Sequence, residues 1–301
     1  MLVKLKQFLL NEKFNEISSP TPARMEIINN SPYDSLAAAI ITPINNKINY
    51  LSIIRQIFNV RGYPLLEGRE TIDISFDNFD TRDKIIGCSA TEELIDGASV
   101  SIKPSLISIY SRSEAPSKIE KINDHSKNIY DGIIKNEFDM FIKLIEKAVN
   151  FSGQIQMGNF GADISQEITF YKGMQNISCL IKKNKKEIDK ILMSKKFLLE
   201  IIENNILNEF SQNSLNIIDW EPLPAHWACG IAGSIFGVQI LYSDMLPQKD
   251  IYFFSAPNNY WDFITAEKLK IKAVGEDAFI ATEKIVLLIK DMDGIYKLVL
   301  P

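Results

Sequence analysis

The stretch APSKIEKINDHSKNIYDGIIKNEFDMFIKLIEKAVNFSG, residues 115–153, decides the fold class because it predicts one helix of unusual length. Apolar residues recur in it at steps of three and four, while lysines and aspartates occupy most of the other positions, as in an amphipathic helix. At about 1.5 Å per residue, a helix of about 34 residues would be roughly 50 Å long. That length is close to the width of a compact domain of this size.

Both ends of this helix carry boundary signals. Ser117 can accept a hydrogen bond from the backbone three residues further on while Glu120 reaches back, which is the capping-box arrangement. Gly153 can close the last turn in a left-handed conformation. The apolar stripe drifts from a strict heptad and Gly132 interrupts it, which disfavours a long coiled coil. The alternative is a long surface helix across an ordinary α/β domain.

Composition limits the classes of protein to consider. Of the 301 residues, 46% are hydrophobic and 24% are charged, which allows a sizeable core in one large or two modest domains. With 33 basic and 38 acidic residues the net charge is −5, and no block of like charge indicates a sequence-specific DNA-binding protein. No apolar run reaches the length of about 18 residues that a membrane span needs. Three widely spaced cysteines are typical of a reducing compartment.

The first hundred residues combine short elements with an arm. Residues 1–14, MLVKLKQFLLNEKF, predict an amphipathic helix and not a signal peptide, because Glu12 is acidic and no small-residue cleavage site follows. The Pro-, Ser- and Asn-rich residues 18–35 predict an extended arm. A short helix or strand over 53–60 and an alternating strand, TIDISF over 71–76, come next.

The segment before the long helix predicts an exposed hairpin. Residues 98–110, ASVSIKPSLISIY, alternate apolar and polar residues on both sides of Pro104. Proline is tolerated on edge strands and in protruding hairpins. We therefore expect a two-stranded loop that projects just ahead of the helix.

After the long helix the pattern changes to an α/β subdomain. Residues 165–184 predict a helix, and residues 188–193 predict a buried strand followed by a helix from Ser194. Short strands separated by glycines follow. The C-terminal stretch predicts three strands, two of them joined by a hairpin turn at Asp293-Gly294.

The sequence offers little catalytic chemistry. It has no phosphate-binding glycine motif. His226 and Cys229 form an H-x-x-C pair that could supply half of a metal site, or a nucleophile and its base. Because no further ligands follow at a recognisable spacing, we prefer a buried cysteine and a hydrogen-bonded histidine. His125 lies among polar residues of the long helix, which predicts a solvated side chain. We expect no catalytic residue, cofactor or metal.

The order of these parts resembles the major capsid protein of tailed bacteriophages, the Hong Kong 97 fold. Residues 100–149, VSIKPSLISIYSRSEAPSKIEKINDHSKNIYDGIIKNEFDMFIKLIEKAV, are similar to that family's extended loop running into its spine helix. Residues 168–202 resemble the helix, central strand and second helix of its axial domain, with Ser194-Lys195 where the family often has an asparagine-proline or similar turn. Residues 235–271 and 52–76 resemble the return to the peripheral sheet and the entry to the extended loop.

The resemblance implies an α+β fold with an N-terminal arm, an extended β-hairpin loop, a long spine helix, a peripheral sheet domain and an α/β axial domain. It divides the chain into the arm (1–60), the extended loop and its base (61–115), the spine helix (116–153), the axial domain (154–262) and C-terminal strands that return to the peripheral domain (263–301).

The resemblance also implies a function, that of a head protein that assembles into an icosahedral shell around viral DNA. Its partners would be itself in hexamers and pentamers, scaffold, portal and decoration proteins, and double-stranded DNA bound without sequence specificity. We expect no membrane, and a location in the virion after assembly in the host cytoplasm. The expected contacts between subunits are Ser101, Lys103, Pro104, Ile107, Ile109, Tyr110, Arg112 and Trp261.

Two alternatives remain at this point. An encapsulin-type nanocompartment shell shares the fold and encloses enzymes in place of a genome. A cysteine hydrolase that uses Cys229 and His226 belongs to a different class and predicts an activity that Cys229→Ala abolishes.

Overall fold

The computed structural model describes residues 2–10, 32–62, 72–74, 84–87, 91–93, 100–157, 166–209, 218–256, 261–275, 277–289 and 292–300. The chain forms two compact units. The first unit comprises residues 18–144 and 259–290, and the second comprises residues 1–17, 145–258 and 291–301. No helix within the described ranges is both long and apolar enough to cross a membrane.

The elements are numbered in chain order. The helices are α1 (Leu2–Leu10), α2 (Pro32–Leu51), α3 (Ile53–Ile57), α4 (Lys118–Ser152), α5 (Gln166–Lys183), α6 (Lys195–Glu209) and α7 (Pro224–Ala228). The strands are β1 (Asn59–Gly62), β2 (Ile72–Ile74), β3 (Lys84–Gly87), β4 (Thr91–Glu93), β5 (Val100–Ile102), β6 (Ser105–Arg112), β7 (Ile155–Met157), β8 (Ile188–Ser194), β9 (Ile218–Trp220), β10 (Ile231–Ile235), β11 (Val238–Ser243), β12 (Asp250–Ser255), β13 (Trp261–Gly275), β14 (Ala278–Ile289) and β15 (Ile295–Val299).

Helix α4 confirms the predicted long helix, with 35 residues. Its capping box is formed, since the Glu120 amide donates to Ser117 Oγ at 3.2 Å and the Ser117 amide donates to Glu120 Oε2 at 3.2 Å. Gly153 adopts a φ of +68° at the end, as a left-handed cap requires. The buried side of α4 begins further along the helix than the apolar pattern of the sequence predicts, because Ile119, the first apolar residue of that pattern, is 73% exposed.

The first unit is built on a six-stranded sheet. Its order is β1-β13-β14-β3-β4, and β6 pairs with the other part of β14. Strands β13 and β14 form a long antiparallel hairpin that closes where Gly275 lies opposite Ala278. Strand β6 runs antiparallel to β14 over eight residues, with Arg112 opposite Ala278 and Ser105 opposite Ile285. This register fixes which side chains of β6 and β14 share a face.

The predicted hairpin ahead of α4 is wrong in its pairing. Both strands exist, but β5 pairs with β2 in a separate two-stranded sheet, and β6 pairs with β14. The break falls at Pro104, which has no backbone donor for a ladder. The reason for the error is tertiary, because β6 is held by β14 over its full length and β5 by a strand thirty residues earlier in the chain.

The second unit contains a seven-stranded sheet in the order β7-β15-β12-β8-β11-β10-β9. The predicted strand and helix after residue 188 are confirmed as β8 and α6, and Ser194 Oγ accepts a hydrogen bond from the Phe197 amide at 3.1 Å to cap the helix. The core includes Phe170, whose ring lies 5.8 Å from that of Phe197 and 6.5 Å from that of Phe253. Helix α1 adds Leu5 and Leu9 to this core.

Two further predictions are corrected. Asp293-Gly294 does not join a hairpin, because it lies in a 3₁₀ helix, Met292–Gly294, between β14 of one sheet and β15 of the other. The extended arm ends earlier than expected, because α2 already includes Pro32 to Ser35. Proline is well tolerated in the first turn of a helix, so Pro32 starts α2 where the sequence pattern indicated a loop. The rest of the predicted arm, residues 18–31, lies outside the described residues.

Candidate assembly surfaces

The predicted subunit contacts fall on three parts of the first unit. Ser101 lies in β5 opposite Asp73, and Trp261 begins β13 opposite Ile289; the side chains of Ser101 and Trp261 lie outside the described residues. Lys103 is exposed and Pro104 is half-buried in the link between β5 and β6. Strand β6 brings the other four together: Ile107, Ile109, Tyr110 and Arg112.

Strand β6 has one buried and one exposed face. Ile107 is only 2% exposed, and Ile109 packs against α4 at Gly132, where an added Cβ would lie 2.8 Å from Ile109 Cδ1. Tyr110, in contrast, is 61% exposed. Because successive strand residues point to opposite faces, Ile107 belongs to the core of its own subunit. Its prediction as a contact between subunits is therefore corrected.

The exposed faces of β6, β14 and β13 form one surface, which we call the outer sheet face. Directly opposite residues in an antiparallel pair share a face, and the register gives three cross-strand rows in sequence. One row is Tyr110, Ile280 and Lys272. The next is Ser108, Thr282 and Lys270. The third is Leu106, Lys284 and Glu267.

This outer sheet face is basic. Its basic positions in the register are Arg112, Lys270, Lys272 and Lys284, and its acidic position is Glu267. Arg112 also makes an exposed ion pair with Glu114 at 3.4 Å, which contributes little to stability because water screens it. The surface thus combines apolar side chains with positive charge, although the chain as a whole is acidic.

The opposite face of the same sheet buries polar groups against α4. His125 is fully buried, with its Nδ1 2.9 Å from Ser111 Oγ and its ring 4.8 Å from the ring of Phe279. Burial lowers the pKa of His125, because the charged form would lose its hydration. The prediction that His125 is solvated is therefore wrong. Its sequence neighbours are polar, but its own position faces the sheet.

A buried ion network joins α3, α4 and β14. Arg55 Nη2 donates to Glu137 Oε1 at 2.6 Å and to Glu283 Oε1 at 3.0 Å. The Ser52 hydroxyl donates to Glu137 Oε2 at 2.9 Å. Both carboxylates are buried, at 0% and 4% side-chain exposure. One guanidinium therefore faces two carboxylates in a site that excludes most water.

The electrostatics of this network are unequal. Burial and the neighbouring Glu137 carboxylate together raise the pKa of Glu283 to about 7, although Arg55 opposes the shift. Within the described part of the chain, Glu283 Oε2 has no hydrogen-bond partner. Burial lowers the pKa of Arg55, but the neighbouring carboxylates of Glu137 and Glu283 raise it more, so its pKa is raised overall. Glu283 is thus the member of the network that takes up a proton near neutral pH.

The His226 and Cys229 pair lies in the second unit, around the end of α7. His226 Nδ1 is 3.0 Å from Glu221 Oε1, so the imidazole is directed to a carboxylate. Burial raises the pKa of the Cys229 thiol, which disfavours the thiolate that a nucleophile needs. Among the described residues, no three His, Cys, Asp or Glu side chains come together as a metal site.

An exposed aromatic residue marks the turn between β10 and β11. Phe236 is 78% exposed and has a φ of +52°, and Gly237 follows with a φ of +82°. A left-handed conformation is uncommon for a bulky residue. Phe236 has the most exposed large apolar side chain among the described residues of the second unit.

The ion network is the feature that sequence reasoning missed. A signal for it exists, because the helical stripe runs Ile129, Ile133, Glu137, Phe141, Ile145 at steps of four, and all five are buried. A carboxylate at a core position of an amphipathic helix indicates a buried cationic partner. Nothing in the local sequence identifies that partner as Arg55, which lies 82 residues away.

Comparisons with known proteins give a likeness in structure alone. The sequence matches no protein-family model and no curated protein. A virus-like particle from Pyrococcus furiosus is similar with a TM-score of 0.54 and 12% identity, over 89% of this chain and 100% of that one. A structure from Microbacterium phage Oxtober96 is similar with a TM-score of 0.51 and 8% identity, over 83% of this chain and 91% of that one.

This chain has the Hong Kong 97 fold. The likeness to the Pyrococcus particle extends over nearly the whole chain, so both units belong to the Hong Kong 97 fold. Helix α4 is the long helix of the predicted fold, and β6 and β14 pack on it through Ile109 at Gly132 and Phe279 at His125. The α+β class and the Hong Kong 97-type fold predicted from the sequence are confirmed.

Proposed function

We propose that this chain is the major capsid protein of a virus, a subunit that assembles with copies of itself into a closed icosahedral shell around double-stranded DNA. The observation that carries the proposal is the Hong Kong 97 fold, shared over the full length of a subunit of a virus-like particle. Shells of this kind are built from repeated copies of one chain, so the proposal needs no catalytic site.

The mechanical role of the first unit follows from its packing. Helix α4 is a 35-residue rod, and the inner face of the sheet fastens to it through the Ile109 contact at Gly132, the His125 contacts and the Arg55 network. A rod joined along a sheet bends less than either element alone, because interiors packed at this density transmit strain. A stiff subunit suits a thin shell under internal pressure.

From the predicted set of contacts between subunits we retain Ser101, Lys103, Pro104, Tyr110, Arg112 and Trp261, with the exposed Tyr110 and Arg112 on the outer sheet face as the leading pair. Ile109 is not retained, because it packs on α4 at Gly132, on the same face of β6 as Ile107. Extended segments that lie on neighbouring subunits give such contacts, and sheet edges and faces are the usual receivers. We also retain the division of the chain at residues 60, 115, 153 and 262.

The further partners and locations belong to the same proposal. Hexamers and pentamers of the chain would form the shell in the host cytoplasm, with scaffold, portal and decoration proteins, and the finished virion would hold DNA without sequence-specific contacts. A net charge of −5 is consistent with a shell that encloses DNA without adhering strongly to it.

The proposal excludes hydrolysis at Cys229. The raised pKa of its thiol and the direction of His226 toward Glu221 support this exclusion. If the chain were a cysteine hydrolase, Cys229→Ala would abolish an activity and leave assembly intact. We expect Cys229→Ala to have no activity to lose.

Negative-stain electron microscopy and light scattering of the purified chain provide the test. Closed particles, or rings of five and six, are the expected result, with or without an added scaffold protein. Their contents then separate a capsid from a nanocompartment, since particles isolated from the native source should contain DNA and a nanocompartment would contain an enzyme. A chain that stays monomeric at every concentration and salt, also with its scaffold, would contradict the proposal.

A further inference from the structure

Helix α5 and the turn that follows it form a positively charged stretch of the second unit. Residues 168–186, ITFYKGMQNISCLIKKNKK, contain five lysines and no acidic residue, although the whole chain has a net charge of −5. The first acidic residue after them is Glu187. Asp189, two residues further on, is paired with Lys190. Positive charge is therefore concentrated in one helix and its turn within an acidic protein.

One side of α5 packs on the core and the other side is exposed. Phe170, Met174, Ile177 and Ile181 are buried, and a Cβ added at Gly173 would lie 2.5 Å from a side-chain carbon of β15. The exposed positions recur at steps of three and four and are mostly polar: Lys172, Gln175, Asn176, Cys179, Lys182 and Lys183. This packing directs the basic side of the helix away from its own core.

The turn after α5 has a defined geometry. The Lys185 amide donates to the Lys182 carbonyl at 3.0 Å, and the Lys186 amide donates to the Ile181 carbonyl at 3.2 Å. These two bonds form a Schellman motif, the common way to close the last turn of a helix. The lysines of the turn therefore extend from a backbone that hydrogen bonds hold in place.

Lys185 occupies a position in this turn that favours glycine. Its φ is +60°, in the left-handed region, where glycine is the usual residue of a Schellman motif because a Cβ makes this conformation less stable. The Asn184 side-chain amide donates to the Tyr296 hydroxyl at 3.2 Å, which ties the turn to β15. A lysine where glycine would fold more stably indicates a role for its charge outside folding.

We propose that the basic face of α5, defined as Lys172, Lys182, Lys183 and Lys185, binds the phosphate backbone of double-stranded DNA without sequence specificity. This inference rests on the proposed function, since it names a surface that meets the enclosed DNA. The fifth lysine, Lys186, is half-buried and is not part of the face. Binding by so few contacts is weak, with a dissociation constant of about 10⁻⁴ to 10⁻⁶ M, as suits a shell that does not adhere strongly to its DNA.

A nucleic-acid backbone fits this face better than a protein surface does. Protein interfaces have an apolar core, whereas Leu180, at 36%, is the one exposed large apolar side chain among the described residues of α5. Gln175 and Asn176 add side-chain donors of the kind that contact phosphate oxygens. Lys172 and Lys183 are roughly 16 Å apart along the helix axis. A duplex of that length carries about nine phosphate charges.

The test compares two variants of the full chain that lose the same charge. The face variant replaces the four lysines of the basic face by glutamine. The matched control makes the same change at four exposed lysines of α4: Lys127, Lys135, Lys143 and Lys147. Circular dichroism and urea unfolding first establish that both variants fold. Binding of the unassembled subunit to a fluorescent duplex of about 40 base pairs is then measured by anisotropy at about 50 and about 200 mM NaCl.

The expected result is salt-dependent binding that the face variant loses. The wild type should bind about a hundredfold more weakly at the higher salt concentration, because about four phosphate contacts release their counterions. The face variant should bind at least about tenfold less tightly than the wild type at the lower salt concentration, with a smaller salt dependence. The control should bind like the wild type, and two duplexes of unrelated sequence should bind equally.

The single substitution Lys185→Gly separates binding from folding. Glycine suits a φ of +60°, so this variant should unfold at a higher urea concentration than the wild type. It should nevertheless bind the duplex less tightly, with a salt slope smaller by about one, since one phosphate contact is lost. Lower stability together with unchanged binding would show that the lysine serves the turn itself.

Several outcomes would overturn the inference. Unchanged binding by the face variant would do so. An equal loss of binding by the face variant and the control would indicate an effect of net charge alone. A poly-glutamate of equal charge that binds the subunit more tightly than the duplex does would assign the face to an acidic protein segment.

Failure of the proposed function gives a different result. A wild-type chain that binds the duplex through this face but forms no particles, also with a scaffold protein, contradicts the shell and leaves the binding established. Particles formed by a chain whose subunits do not bind the duplex contradict the binding alone.

Discussion

Replacing Glu283 by glutamine should stabilise the subunit above pH 7 and leave its stability nearly unchanged near pH 5. The Glu283 carboxyl is buried beside Arg55 and Glu137, and its pKa in the folded protein is raised from 4.5 to about 7. A raised carboxyl pKa means that the folded state holds the proton more tightly than the unfolded state. The contribution of Glu283 to the free energy of unfolding of the wild type should therefore be largest below about pH 4.5. It should fall as the pH rises to about 7.

The size of the effect follows from the shift. A difference between 4.5 and about 7 corresponds to roughly 3 kcal/mol between the two protonation states. Glutamine has the shape of the neutral acid and cannot ionise, so it avoids this loss. It also leaves Arg55 with one carboxylate, Glu137 at 2.6 Å. We expect Glu283→Gln to raise the unfolding free energy at pH 8 by about 2 kcal/mol, since some of the attraction to Arg55 is lost.

The change in unfolding free energy caused by Glu283→Gln is measured by urea unfolding of the unassembled subunit at pH 5 and pH 8, with circular dichroism as the signal. Hydrogen exchange of peptides from β14 assigns the change to the first unit. Glu114→Gln is the matched control, because Glu114 is 82% exposed and should change stability little at either pH. A Glu283→Gln protein that is less stable than the wild type at pH 8, with an unchanged slope between pH 5 and 7, would refute the reasoning.

Three further predictions concern the backbone. Gly132→Ala should destabilise the subunit by about 1 kcal/mol in urea unfolding, because overpacking against Ile109 at 2.8 Å outweighs the gain in helix propensity; stabilisation would show that the sheet can move away. Ile133→Pro should cost about 3 kcal/mol or more and abolish particles in light scattering, since it breaks α4; normal assembly would contradict the role of the helix. Phe236→Gly should raise the thermal midpoint slightly by removing a strained conformation worth about 1 kcal/mol, and a lowered midpoint would show that Phe236 contributes packing.

The parts predictable from sequence are those whose signal is local. Helix α4 has a capping box, a periodic stripe and no proline, and β8 followed by α6 has a buried apolar run with Ser194 at the junction, so periodicity and caps were sufficient for both. The order of such elements was enough to identify the Hong Kong 97 fold. Local patterns carry this information because each one is satisfied within about one turn or one strand pair.

The predictions that were wrong concern features that depend on residues distant in the sequence. The pairing of β5 with β2, and of β6 with β14, is decided by which strands meet in the folded chain, and alternation alone specifies neither. The polar neighbours of His125 in the sequence predict a solvated side chain, whereas its own angular position on α4 faces Phe279. The Asp293-Gly294 pair has the composition of a hairpin turn, yet it joins strands of two different sheets.

Strand β14 connects the two surfaces on which these predictions rest. Glu283 points inward to the ion network and Lys284, the next residue, lies on the outer sheet face. A slip of one residue in the pairing of β14 would exchange these faces, burying lysine against α4 and exposing Phe279. The Arg55 network disfavours such a slip. After the slip, Arg55 and Glu137 would lose Glu283 as a partner, and the Lys284 ammonium group would lie near Arg55 as a second cation. The buried network therefore fixes the register that holds Lys284 and its neighbours outward. Glutamine keeps the shape of the neutral acid in that network, so Glu283→Gln should leave the register and assembly intact. Hydrogen exchange along β6 at pH 8 should then be no faster than in the wild type, and faster exchange would show that the charge of Glu283 is needed to specify the register.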